Sequence, residues 1–157
     1  MKRILTILIA ASSIIIISCG GGDKKHDHSG HNTGEPKTPA DSLYEQVMAG
    51  HDEVMPKMGK IRGAQKEAQR LIDSIATLPA KAQVEAASLK SKLEELAKDL
   101  SYADFAMDKW MTEFDLDSAK NDIEKRIKYL ADEKLKVDKV KEAILNSLAK
   151  ADSILKK

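Results

Sequence analysis

The chain has 157 residues, with 26 Lys and Arg against 25 Asp and Glu, a single Cys and aromatic residues at only 4%. That length suits one domain. The balanced, evenly mixed charge excludes a nucleic-acid binder resting on a broad basic patch, and one Cys excludes a disulfide framework or a multi-cysteine zinc or iron–sulfur centre.

Lys2 and Arg3 precede an apolar run from Ile4 to Ile17. The run is too short to stay in a bilayer as a spanning helix, and it has the order of a signal peptide. It ends Ile16-Ile17-Ser18-Cys19, a sequence that resembles the lipobox of bacterial lipoproteins. The resemblance implies cleavage after residues 1–18, a diacylglycerol on the Cys19 thiol and an acyl chain, palmitate for example, on the new amine. Several acyl chains hold a soluble domain at a membrane without a spanning helix. The expected partner is therefore a lipid bilayer outside the cytoplasm. Gly20 stands where some diderm lipoproteins carry the Asp that retains them at the inner membrane, which favours the outer membrane.

Residues 19–38 are expected to be a flexible tether, because the stretch from Gly20 to Lys37 is rich in Gly and charge and offers nothing to bury. It carries His26, His28 and His31 beside Asp23 and Asp27. Imidazole and carboxylate groups can gather Zn²⁺, Cu²⁺ or Ni²⁺, although a disordered chelator loses chain entropy on binding. A solvated polar linker is the plainer reading of such a tract.

The remainder, residues 39–157, predicts an all-α antiparallel up-down-up three-helix bundle, coiled-coil-like in its spacing. Thr38-Pro39-Ala40-Asp41 is a helix start, with Thr38 as cap and Pro39 in the first turn. Apolar residues then follow at helical spacing through Tyr44, Val47, Met48, Val54, Met58, Ile61, Leu71 and Ile75 to Leu78-Pro79, where the helix must end. The second helix, 79–114, carries an unbroken alternation of three- and four-residue steps from Ala82 through Leu93, Leu100 and Met107 to Phe114. Asp115-Leu116-Asp117-Ser118 breaks it and is expected to cap the third helix, 117–156. That helix has a weaker stripe in which Lys134 and Lys141 occupy two inward positions. Composition agrees, being rich in Ala, Lys, Leu, Glu and Ile and poor in Gly.

A turn at Leu78-Pro79 places His51 level with Met107, and Met48 level with Trp110, to within a helical turn. A second turn at Asp115–Asp117 places Met107 level with Glu124 and Trp110 level with Asn121. The five methionines after Met1 and all six aromatic residues then share one half of the bundle. His51 lies on an apolar helix face with Met48 and Met55 one turn away on either side. Thioether and imidazole ligands suit Cu(I), and an indole face adds cation–π attraction. Copper or silver is therefore the candidate cofactor, held by His51, Met107 and Met48 or Met55 under Trp110. The chemistry is similar to that of the His/Met/Trp sites of periplasmic copper and silver chaperones, without their fold. The alternative is a core histidine among methionines that fill irregular gaps. Pro56, with Gly50, Gly59 and Gly63 around it, departs from good helix chemistry and predicts a kink in the first helix.

His51-Asp52-Glu53-Val54-Met55-Pro56-Lys57-Met58 and Met107-Asp108-Lys109-Trp110-Met111 resemble a family of small Bacteroidota lipoproteins that often carry the transferred name "viral A-type inclusion protein". The resemblance implies lipid anchoring and helices and supplies no catalytic or binding residue. No nucleophile motif, phosphate loop or dinucleotide fingerprint is present, so an enzyme is not expected. The leading expectation is a non-catalytic envelope module, with another envelope protein as a candidate partner and Leu135, Val140, Leu145 and Ile154 as a candidate exposed strip. A periplasmic binder of Cu(I) or Ag(I) is the alternative.

Overall fold

Thr38 starts the first helix as the sequence predicts. Its hydroxyl accepts the Asp41 amide at 3.1 Å, while the Asp41 carboxylate accepts the Thr38 amide at 2.9 Å, so each side chain satisfies the other residue's otherwise orphaned amide. The computed structural model describes residues 37–156, all within the unit Pro36–Lys157. Every regular element among them is helical: α1, Pro39–Val54; α2, Met58–Ala76; α3, Ala80–Glu85; α4, Ala87–Glu113; and α5, Ile123–Leu155.

The helices form a bundle. α1 packs on α5, α2 packs on α4 and α5, and α4 packs on α5. Arg62 on α2 reaches Asp104 on α4 at 2.9 Å and Gln65 reaches Ser101 at 3.2 Å, so these two helices run in opposite senses. Lys150 on α5 bonds both Glu95 and Asp99 on α4. Val47, Val54, Ile61, Leu93, Leu96, Leu100, Met107, Leu130, Val137 and Ile144 are fully enclosed between them. This apolar burial is the main source of the fold's stability.

Three boundaries differ from the expectation, each for a local reason. The first helix is divided by a 3₁₀ turn, Met55–Lys57, at Pro56. Proline has no N–H to offer the Asp52 carbonyl four residues back, and the neighbouring Glu53 carbonyl accepts the Lys57 ammonium. The second helix is divided at Ala86, and the short α3 buries no residue. α3 belongs to the corner: Gln83 donates from its amide to the Ala76 and Leu78 carbonyls at 3.0 and 2.7 Å, closing the end of α2. The third helix begins at Ile123, capped by Asp122, whose carboxylate accepts the Lys125 amide at 3.1 Å. The segment 114–122 is a longer connection than expected, and Ala119 in it has a left-handed φ of 56°.

The longer connection changes the inward face of α5. Its buried positions are Leu130, Glu133, Val137, Val140, Ile144, Ser147 and Ala151, an alternation of three- and four-residue steps with two polar members. Lys134 and Lys141, expected on this face, lie beside it and pair with Asp138 at 2.6 Å and Glu53 at 2.7 Å. Val140 is a core residue, and Leu145 and Ile154 pack against the core. The expected exposed strip therefore reduces to Leu135. No helix among the described residues is long and apolar enough to cross a membrane.

Candidate functional site

Trp110 is the hub of the end of the bundle where α1, α4 and α5 meet. It is 5% exposed on the inner face of α4. Its indole N–H donates to Glu133 Oε2 on α5 at 3.0 Å, and the second carboxylate oxygen of Glu133 takes the Lys136 ammonium at 2.7 Å. Glu133 is 2% exposed. A buried carboxylate costs several kcal/mol unless paired, and here both oxygens have partners. The same contact raises the Lys136 pKa above the ordinary lysine value, through the Glu133 hydrogen bond first and its charge second.

Aromatic rings extend from Trp110 in two directions. Phe114 stacks on it with centroids 5.0 Å apart, and Tyr129 stacks on Phe114 at 6.2 Å. The Tyr129 hydroxyl accepts the Asp115 amide at 2.7 Å, and burial pushes its pKa up. Arg126 lies 6.0 Å over the Tyr129 ring and donates to the Ser118 carbonyl at 2.7 Å. These contacts hold the 114–122 connection against α5. An open hollow of about 480 Å³ adjoins them, lined in part by Thr38, Tyr44, Leu116, Lys120 and Arg126.

The other neighbour of Trp110 is His51 on α1, with ring centroids 5.7 Å apart and planes tilted by 36°. The His51 side chain is 19% exposed, and its Nδ1 lies 2.8 Å from Asp52 Oδ1. A carboxylate oxygen only accepts, so Nδ1 carries a proton, and in the neutral ring Nε2 is the nitrogen with the lone pair. The only described side-chain hydrogen bond of His51 is this one at Nδ1. No buried side-chain nitrogen or oxygen among the described residues lacks a partner, so Nε2 opens toward solvent.

The expected ligand set is brought together in part. His51 meets Trp110 across α1 and α4, within one turn of the expected level. Met48 is half-buried one turn before His51, and Met107 is fully buried one turn before Trp110. Met55 does not belong to this face: it is 39% exposed, because it sits in the 3₁₀ turn where the helical face rotates. The level expected for α5 is corrected too. Trp110 faces Glu133 and not Asn121, about three helical turns away, because the connection before α5 is longer. Sequence reasoning missed Glu133 and Asp52. A glutamate amid Leu130 and Val137 at helical spacing is the signal that identifies the first. The second follows an apolar position by one residue, and its contact depends on side-chain rotamers that no spacing encodes.

Among the described residues there is no group of three or more His, Cys, Asp or Glu placed to hold a metal. Cys19, His26, His28 and His31 lie outside the described residues. No protein-family model matches the chain, nor does any curated protein or solved structure.

Proposed function

We propose that this chain is a lipid-anchored, extracytoplasmic helical module of a diderm cell envelope, non-catalytic and working through contacts of its bundle. The observation that carries this reading is the sequence Ile16-Ile17-Ser18-Cys19: the chain's single cysteine stands at the end of an apolar run, where a lipobox requires it. The likeness of residues 51–58 and 107–111 to small Bacteroidota lipoproteins supports the same reading. A contact role is supported by Tyr102 and Phe105, one turn apart on the outer face of α4 and 61% and 62% exposed. Exposed aromatic side chains offer large contact area at low entropic cost.

The test is metabolic labelling with a palmitate analogue in a diderm host. The parent chain takes up the label and sediments with the outer membrane, and Cys19→Ala is unlabelled. An unlabelled parent, or a Cys19→Ala chain that still carries label, overturns the reading.

A further inference from the structure

We infer that the ring pair His51–Trp110, with Met48 one turn before His51 on α1 and Met107 one turn before Trp110 on α4, is a binding site for one soft monovalent cation, Cu(I) or Ag(I). The inference does not depend on the lipid anchor. Both rings are held in place before any ion arrives. Asp52 fixes the His51 tautomer at 2.8 Å, leaving Nε2 as the open ligand atom. A carboxylate on the far nitrogen of a metal-binding imidazole orients the ring and raises its basicity. Glu133 holds the indole edge at 3.0 Å, so the Trp110 ring keeps its place 5.7 Å from the imidazole. A cation within about 6 Å of an indole centroid is attracted by the ring's quadrupole, more strongly when desolvated.

Sulfur comes from both helices. Met48 precedes His51 by three residues on α1, and Met107 precedes Trp110 by three residues on α4, so each thioether is a surface neighbour of one of the two contacting rings. Three rotatable bonds let a methionine turn its sulfur toward an ion without moving its backbone. The His51 side chain, 19% exposed, supplies the entry. The donor set selects the ion. An imidazole nitrogen together with thioether sulfur favours Cu(I) and Ag(I) over Zn²⁺, Mg²⁺ or Ca²⁺.

Trp110 is the only tryptophan in the chain, so its emission reports on this site and not on the tail histidines. The experiment titrates Ag(I) into the full chain carrying Cys19→Ser, which removes the competing thiol. We expect saturable quenching of Trp110 emission complete at one equivalent. His51→Ala abolishes the saturable phase. Met48→Leu conserves volume and fold and weakens binding. Asp52→Ala removes an exposed side chain and weakens binding about tenfold. A His26→Ala, His28→Ala, His31→Ala variant titrates like the parent. Circular dichroism verifies each fold. Unresponsive emission in the folded parent overturns the site, as does parental titration by both Met48→Leu and Asp52→Ala, or a response that vanishes only with the three tail histidines.

Discussion

Glu133 and Trp110 form a buried bond that tells α5 where to stand against α4. The apolar faces of both helices repeat every seven residues, Leu93, Leu100, Met107 on one and Leu130, Val137, Ile144 on the other. Such faces also fit when slid by one repeat. The buried Glu133 carboxylate, 3.0 Å from the indole nitrogen, breaks that degeneracy. A slide would strand it away from its donor, and a buried polar group without a partner costs about 1–3 kcal/mol. A single polar residue inside an apolar repeat is a well-attested way to fix register. The same bond orients the ring that faces His51, so the device that aligns the bundle also shapes the candidate site.

Trp110→Phe keeps most of the packing and removes the donor. Glu133 retains Lys136 on its other oxygen, so the penalty is that of one under-satisfied buried acceptor, about 1–2 kcal/mol in urea denaturation followed by circular dichroism. Glu133→Leu removes the polar group altogether. Its stability is expected to equal or exceed that of the parent, but with register freed, amide resonances of α5 broaden or double. Sharp single resonances in Glu133→Leu would show that the apolar packing fixes the register alone.

The glycines around Pro56 are expected to separate into two classes. A Cβ at Gly50 would come 3.1 Å from Val137 Cγ1, whose side chain is fully enclosed and has little room to yield. Gly50→Ala therefore destabilises by about 1–3 kcal/mol despite the better helix propensity of Ala. At Gly59 and Gly63 an added Cβ meets nothing within 4 Å, so Ala there stabilises by about 0.5–1 kcal/mol each. Denaturation midpoints of the three variants check this, and a stabilised Gly50→Ala would show that α1 and α5 separate easily.

Gln83 offers a test of the corner. It donates to two carbonyls that the end of α2 leaves free, Ala76 at 3.0 Å and Leu78 at 2.7 Å. Gln83→Ala returns those carbonyls to water. The expected loss is about 0.5–1 kcal/mol, with hydrogen exchange quickened at the end of α2 and unchanged in α4.

What the sequence made legible follows from how local each signal is. α4 was readable because every inward position from Leu93 to Trp110 is apolar or small, so spacing alone finds the face. α5 is not, because Glu133 and Ser147 occupy inward positions while Leu135 points outward, so spacing alone points one residue away, at Lys134 and Lys141, roughly 100° around the helix. Asp115-Leu116-Asp117-Ser118 resembles a helix start as closely as Asn121-Asp122 does. Tertiary contacts decide between them, since the Tyr129 hydroxyl holds the Asp115 amide and Arg126 holds the Ser118 carbonyl. The approach of His51 to Trp110 is legible because both residues lie on helices whose facing stripes are strongly apolar and whose corner carries a proline. The partners that orient the two rings, Asp52 and Glu133, came only with side-chain positions.

The starts of α1 and α5 are both held by aspartate carboxylates bonded within the first turn, so both ends respond to acid. The Asp41 carboxyl sits below the ordinary aspartate value of 3.8 because the Thr38 hydroxyl and then its amide hydrogen-bond to it. The Asp122 carboxyl is lowered by the Lys125 side chain and then its amide. A folded-state pKa below the unfolded one means that the unfolded chain binds more protons near that pH, so the contribution is complete above the unfolded value and disappears as pH falls through the folded one. At position 122, the cap, Asn serves almost as well as Asp, and at position 41, three residues after the cap, an amide oxygen can still accept from Thr38, but Asn titrates at neither. The double variant Asp41→Asn, Asp122→Asn is therefore expected to melt below the parent at neutral pH and to converge with it as the pH falls through and below the depressed folded-state values. Melting curves that stay parallel down to the acid limit would mean that neutral hydrogen bonding alone holds these two ends.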